Sequence, residues 1–184
     1  MKRLYKLLFN TSQQKVLAFL AENAGDEYQE KEIVKHSGVK KSMVNLVLHE
    51  LAEEKIIDRR QIGRSSLYSA NRKSNIIKEV KILQNILEIE SLVYDLKRES
   101  QKVVLFGSSA NGTNTKESDI DLFVLTNKSA EIRKIISSSS LEEKIQLIIK
   151  SPAEMLKINK KKPLLFQEIE KGKILWEVNE DEGI

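Results

Sequence analysis

The sequence predicts an α+β chain in three parts: a mostly helical amino-terminal domain over 1–73, a connecting helix over 74–100, and a mixed sheet with helices over 101–184. Three observations carry this. Between residues 11 and 53 the apolar residues recur at helical spacing between recognisable caps. From 75 to 99 one helical period runs without a break. From Lys102 onward, short runs of β-formers ("KVVLFG", "DIDLFVLT", "KIQLIIKS") alternate with a helical segment.

Taken in order, "TSQQKVLAFLAENA" opens with Thr11 and, three residues later, Gln14, the pattern of a capping box, followed by Val16, Leu17, Phe19 and Leu20 at helical spacing. "YQEKEIVKHSG" is a short second helix that stops at Gly38, a helix C-cap position. In "VKKSMVNLVLHELAEEKII", Val44, Val47, Leu48 and Leu51 form the buried stripe, so Lys41, Ser42, Asn45 and His49 face outward. "IIDRRQIGRSSLYSAN" predicts two strands turning around Gly63. In the long helix Ile76, Val80, Leu83, Leu87, Leu92 and Leu96 predict one apolar face, which covers a core or forms a dimer seam. "NKSAEIRKIISSSS" predicts a helix closing in a serine-rich loop, and "PLLFQEIEKGKILWE" a helix, a glycine stop and a last strand.

Composition narrows the chemistry. The chain has 184 residues, 40% hydrophobic and 32% charged, and no run of about 18 apolar residues, so the sequence predicts a cytoplasmic protein with no membrane partner. Zero cysteines exclude disulfides and thiolate metal sites, and two distant histidines, His36 and His49, leave little for a zinc site, so a bound metal would be held by oxygen. The net charge of +4 is uneven: residues 1–100 hold 18 Lys/Arg against 14 Asp/Glu, and the remainder balances. That favours an anionic partner for the first half.

The stretch "VVLFGSSANGTNTKESDIDLFVL" (103–125) holds the candidate site. A buried strand that stops at Gly107-Ser108 lets backbone approach a ligand closely, and Ser108 offers an N–H and a hydroxyl to phosphate. On the next strand the period of two points Asp119 and Asp121 to one face, about 6–7 Å apart. Paired carboxylates there suit a hard divalent cation that also takes phosphate oxygens. An Asp-x-Asp alone is also compatible with an exposed strand edge or a capped turn.

Two resemblances follow from these residues. "SGVKKSMVNLVLHELAEEKIIDRR", with helix, short helix, turn, helix and hairpin in order, resembles winged helix-turn-helix transcription regulators over about residues 8–72. Gly107-Ser108, ten residues, then Asp119-x-Asp121 between two strands resembles the minimal nucleotidyltransferases of the DNA polymerase β superfamily. Gly112 and Ser118 stand where that family often has glycine and serine, and the tail looks like the closing helix and strand of archaeal-type members fused to a winged helix. This resemblance implies a nucleoside triphosphate held by Gly107, Ser108, Ser109 and Gly112, with Mg²⁺ or Mn²⁺ on Asp119 and Asp121. It implies transfer of a nucleotidyl group to an acceptor. The winged-helix resemblance implies double-stranded DNA contacted by Lys41, Ser42, Asn45 and His49 on the helix and Arg59, Arg60 and Arg64 at the wing, by a homodimer on a two-fold site.

The chain departs from the family pattern twice. The family's third carboxylate, on the strand "KIQLIIKS", is matched by Gln146, which neither accepts a proton nor ligates as a charge. Glu142 and Glu143 precede that strand. Ser109 stands where many relatives carry arginine. Two alternatives therefore accompany the enzyme reading: a transcription regulator whose second domain dimerises or senses nucleotide, and an antitoxin acting on a partner protein.

Overall fold

A computed structural model describes residues 2–155 and 163–178. The chain divides into two compact units, 1–87 with 115–117, and 88–114 with 118–184.

The first unit opens with a helix that the sequence reading lacked, α1 (Lys2–Leu8), followed by α2 (Ser12–Glu22). The capping box forms: the Gln14 N–H donates to Thr11 Oγ1 at 3.2 Å and the Thr11 N–H donates to Gln14 Oε1 at 3.0 Å. Both donors would otherwise lack partners at a helix start. After β1 (Tyr28–Gln29) come α3 (Glu30–Ser37) and α4 (Lys41–Glu53). Helix α3 ends where Gly38 turns left-handed at φ +66° and donates its N–H to the Val34 carbonyl at 3.1 Å.

Strands β2 (Ile57–Ile62) and β3 (Ser65–Ala70) form the predicted hairpin, with Gly63 at φ +57° in its two-residue turn. The small antiparallel sheet has the order β1-β3-β2. Its core is built from Val16, Leu20, Ile33, Val44, Val47, Leu48, Ile57 and Tyr68. Helix, helix, turn, helix and hairpin around one core is a winged helix, as the sequence predicts. The four α4 residues expected to face outward, Lys41, Ser42, Asn45 and His49, are all exposed.

Helix α5 (Asn75–Leu96) passes from the first unit into the second and ends in a short 3₁₀ turn, Lys97–Glu99. Its predicted stripe needs correction at two places. Ile76 and Leu83 are 51% and 37% exposed, while their neighbours Ile77 and Ile82 are buried. The helix carries adjacent apolar residues at 76–77, 82–83 and 86–87, so spacing alone selects the wrong member of a pair. The buried line runs through Ile77, Ile82, Ile89, Leu92, Val93 and Leu96.

The second unit is a four-stranded sheet of order β6-β5-β4-β7. Strand β4 (Lys102–Phe106) feeds α6 (Gly107–Asn111), and β5 (Ile120–Leu125) returns antiparallel to β4. Helix α7 (Ser129–Ser137) makes the crossover that a parallel neighbour requires, and β6 (Ile145–Lys150) lies parallel to β5. Helix α8 (Pro163–Glu170) and β7 (Lys173–Glu177) close the unit, with β7 antiparallel to β4. Val103, Val104, Leu105, Leu122, Phe123 and Val124 are all within 1% of complete burial, which anchors the two central strands. Among the described residues no helix is long and apolar enough to cross a membrane.

Candidate functional site

The first set of predicted residues gathers where β4 ends and β5 begins. Phe106 pairs with Asp121 across the two strands, so the chain leaving β4 at Gly107 turns directly beside that aspartate. Gly107 sits at φ +65°, and a Cβ built on it would lie 2.2 Å from Asp121 Oδ2. A side chain at this position would be strained in its backbone and would have to displace the Asp121 carboxylate, so glycine suits the start of α6 here. Helix α6 ends one turn later at Gly112, buried and left-handed at φ +66°. Its first turn leaves backbone N–H groups without an intrahelical acceptor, as any helix start does.

Asp119 immediately precedes β5 and is exposed, and Asp121, the second residue of β5, is half-buried, with the buried Ile120 between them. Burial pushes the Asp121 carboxyl above its ordinary value, and the negative charge of Asp119 adds to the rise. The pair is thus an electrostatic cost that a cation would relieve. Ser108 is half-buried at the helix start. Ser109 is 1% exposed and its Oγ donates toward the Asp119 carbonyl at 3.5 Å, so its side chain supports the Asp119 backbone.

The parallel register sets Gln146 directly beside Asp121, on the same face about 4.8 Å away, and Gln146 is exposed. Glu142 and Glu143 lie in a short 3₁₀ turn before β6. Among the described residues no group of three or more His, Asp or Glu could hold a metal ion. Two carboxylates with a phosphate-bearing ligand beside them still fit Mg²⁺, which is commonly bound through one or two carboxylates plus substrate phosphates and water.

The second set of residues lines a groove of about 380 Å³ in the first unit, between α4 and the hairpin. Lys41, Asn45, His49, Arg59 and Arg64 all face it. Arg59 is held there by the Ser66 hydroxyl, 3.1 Å from Nη2, and lies 5.9 Å from the centre of the Tyr68 ring. Ser42 is exposed on α4 but does not line the groove. Arg60 is turned to the other side of its strand and donates to Glu27. The sequence reading missed Glu30, whose carboxylate accepts from Asn45 Nδ2 at 2.9 Å, and Tyr68. Tyr68 was within reach, because a two-residue turn at Gly63-Arg64 places it opposite Arg59.

A family model described as "Polymerase beta, Nucleotidyltransferase" matches residues 89–181, just over half of the chain. The chain belongs to the polymerase beta nucleotidyltransferase family. Its nucleotidyltransferase part coincides closely with the second unit, and a second model, a domain of unknown function (DUF7343), matches residues 9–71 in the first. No curated protein matches this nucleotidyltransferase-family chain.

Several solved structures resemble it distantly. The predicted DNA-binding transcriptional regulator from E. coli shares 23% identity at a TM-score of 0.35, over 46% of this chain and 90% of that one. NolR from Sinorhizobium fredii shares 16% identity at 0.32, over 49% and 80%. TrmBL2, an archaeal chromatin protein, shares 14% at 0.32, over 90% and 75%. Scores this low leave the winged helix resting on the element order described above.

Proposed function

We propose that this chain is a DNA-binding protein whose nucleotidyltransferase unit binds a nucleoside triphosphate with Mg²⁺ and passes the nucleotidyl group to an acceptor hydroxyl, the bond between the α- and β-phosphates breaking as pyrophosphate leaves. In this reading 1–73 forms the DNA module, 74–100 the connector and 101–184 the nucleotide module. The observation that carries the nucleotide half is the fit of Gly107 against Asp121, with the charge of Asp119 near enough to act on the Asp121 carboxyl. A bare backbone turn beside two carboxylates offers N–H groups to phosphate and oxygens to a cation within one small region. Mg²⁺ or Mn²⁺, when bound, neutralises phosphate charge and orients the triphosphate. Gly107 admits the phosphates, Ser108 donates its hydroxyl, and Asp119 and Asp121 hold the cation, with Ser109 and Gly112 shaping the loop.

Isothermal titration with ATP, CTP, GTP and UTP tests it. We expect binding of at least one nucleotide that needs Mg²⁺ and disappears in Asp119→Ala with Asp121→Ala. Binding that ignores the metal, or survives the double substitution, would refute the site.

A second reading is favoured by Gln146, which stands in register with Asp121 and cannot deprotonate an acceptor hydroxyl. On it the unit senses nucleotide without transferring it. Incubation with α-labelled nucleotides separates the two, because label transfer that is lost in Asp121→Asn requires an enzyme.

The DNA half is supported by the groove that gathers Lys41, Asn45, His49, Arg59 and Arg64 between a helix and a wing. We read α4 as the helix laid in the major groove, Ser42 and Arg64 as backbone contacts, and the working form as a homodimer on a two-fold site. The cytoplasm, the compartment predicted by the sequence, holds both DNA and nucleotide. Binding to duplex DNA that weakens as salt rises is the expected result, and salt-independent binding would count against it.

A further inference from the structure

We infer that Glu30 is a specificity-determining residue of the DNA groove, acting with Asn45 to demand an exocyclic amino group from the base it meets. The inference rests on the DNA reading above and adds to it. Glu30 opens α3 and lines the same groove as Lys41, Asn45, His49, Arg59 and Arg64, where it is the one acid among the lining residues. An acid in a groove lined by cations weakens contact with any phosphate backbone. Its presence there works against sequence-independent binding.

The hydrogen bond supplies the positive half of the argument. Asn45 Nδ2 donates to Glu30 Oε2 at 2.9 Å. Two oxygens cannot face each other in such a contact, so the bond sets the amide orientation, with Nδ2 toward Glu30 and Oδ1 turned away. The pair then presents acceptor oxygens, Asn45 Oδ1 and Glu30 Oε1, together with the second Nδ2 proton. In the major groove the groups that satisfy acceptors are the amino groups of adenine N6 and cytosine N4. Thymine O4 and guanine O6 are acceptors themselves: they can meet only the second Nδ2 proton, and Glu30 Oε1 and Asn45 Oδ1 would face them without a proton between, whereas an amino group satisfies these two acceptors. Glu30 so selects adenine or cytosine at one position and lowers affinity for everything else.

The test uses the full chain and duplexes selected from a randomised pool. Wild-type protein is expected to select adenine or cytosine at one position, and to lose affinity about tenfold when that base is replaced by an analogue lacking the amino group. Glu30→Ala is expected to bind the two duplexes within about twofold of each other, and Glu30→Gln to bind unselected duplex more tightly than wild type. Circular dichroism melting of each variant reports its folding, and Asn45→Ala serves as a second variant that should also narrow the discrimination. If Glu30→Ala keeps the full discrimination, or weakens both duplexes equally, the inference is wrong while the DNA reading stands. If wild-type protein binds no duplex, the DNA reading fails and the inference falls with it.

Discussion

Gly107 shows how one position can be constrained in two independent ways, by a backbone at φ +65° and by a neighbouring carboxylate that a Cβ would have to displace. The left-handed conformation alone costs an L-residue about 1–2 kcal/mol. The 2.2 Å approach to Asp121 Oδ2 adds a displacement of the very group assigned to the cation. Gly107→Ala should therefore lower the urea midpoint modestly and abolish Mg²⁺-dependent nucleotide heat in calorimetry. Retained binding would mean that Asp121 can move aside without loss. Asp121 supports a second prediction. Because burial and then Asp119 raise its folded-state pKa, the metal-free native chain binds a proton more tightly than the unfolded chain. Stability contributed by the protonated form is thus present at low pH and is lost as pH rises from the ordinary aspartate value, about 3.9, through the folded value. Urea melts of the chain in EDTA should show Asp121→Asn gaining on wild type across that window. A constant difference between the two at every pH would exclude the effect.

At the scale of elements, the two arginines of "DRRQIGR" nearest β2's middle separate cleanly. Arg59 faces the groove beside Tyr68, whereas Arg60 is engaged by Glu27 on the other side of the strand. Arg64, at the turn, also lines the groove. Each phosphate contact contributes about 0.9 to the slope of log affinity against log salt. Arg64→Ala should flatten that slope by about one such step and Arg60→Ala should leave it nearly unchanged, as read by fluorescence anisotropy over a salt series. Equal effects would show that the Glu27 pair opens on DNA. Such alternation is the kind of fact a sequence read for charge alone overlooks. What the sequence did make legible was mostly local: Thr11 with Gln14, Gly38, Gly63 and the α4 stripe all act within a few residues or two helical turns, while the Gly107 to Asp121 spacing stood out through its resemblance to a known pattern. The Glu30–Asn45 bond spans 15 positions, and the choice between Ile76 and Ile77 depends on what packs against α5. Neither is encoded in a local pattern, so both required the fold. The match of Gln146 to Asp121 is intermediate, since aligning two strands from their apolar runs already suggests it and the parallel register supplies the pairing.

At the scale of the whole molecule, each unit has its own set of fully buried side chains, such as Val44, Val47 and Leu48 in the first and Leu105, Leu122 and Ile132 in the second. The one tryptophan of the chain, Trp176, lies in β7 of the second unit, where its Nε1–H reaches toward the Ser100 carbonyl at 3.4 Å. Its fluorescence therefore reports the unit that carries Asp119 and Asp121. A ligand that binds only the folded form stabilises by about 2.7 kcal/mol when present at a hundred times its Kd. For a unit of this size that corresponds to a rise on the order of 10 °C in the melting midpoint. Thermal melts followed by tryptophan fluorescence should show this rise with Mg²⁺ and the preferred nucleotide together, and not with either alone. In Asp119→Ala with Asp121→Ala the midpoint should stay where it is when both are added. A nucleotide that bound the first unit instead would leave the fluorescence transition behind while shifting the far-ultraviolet signal, so the single tryptophan tells which half of the chain holds the nucleotide.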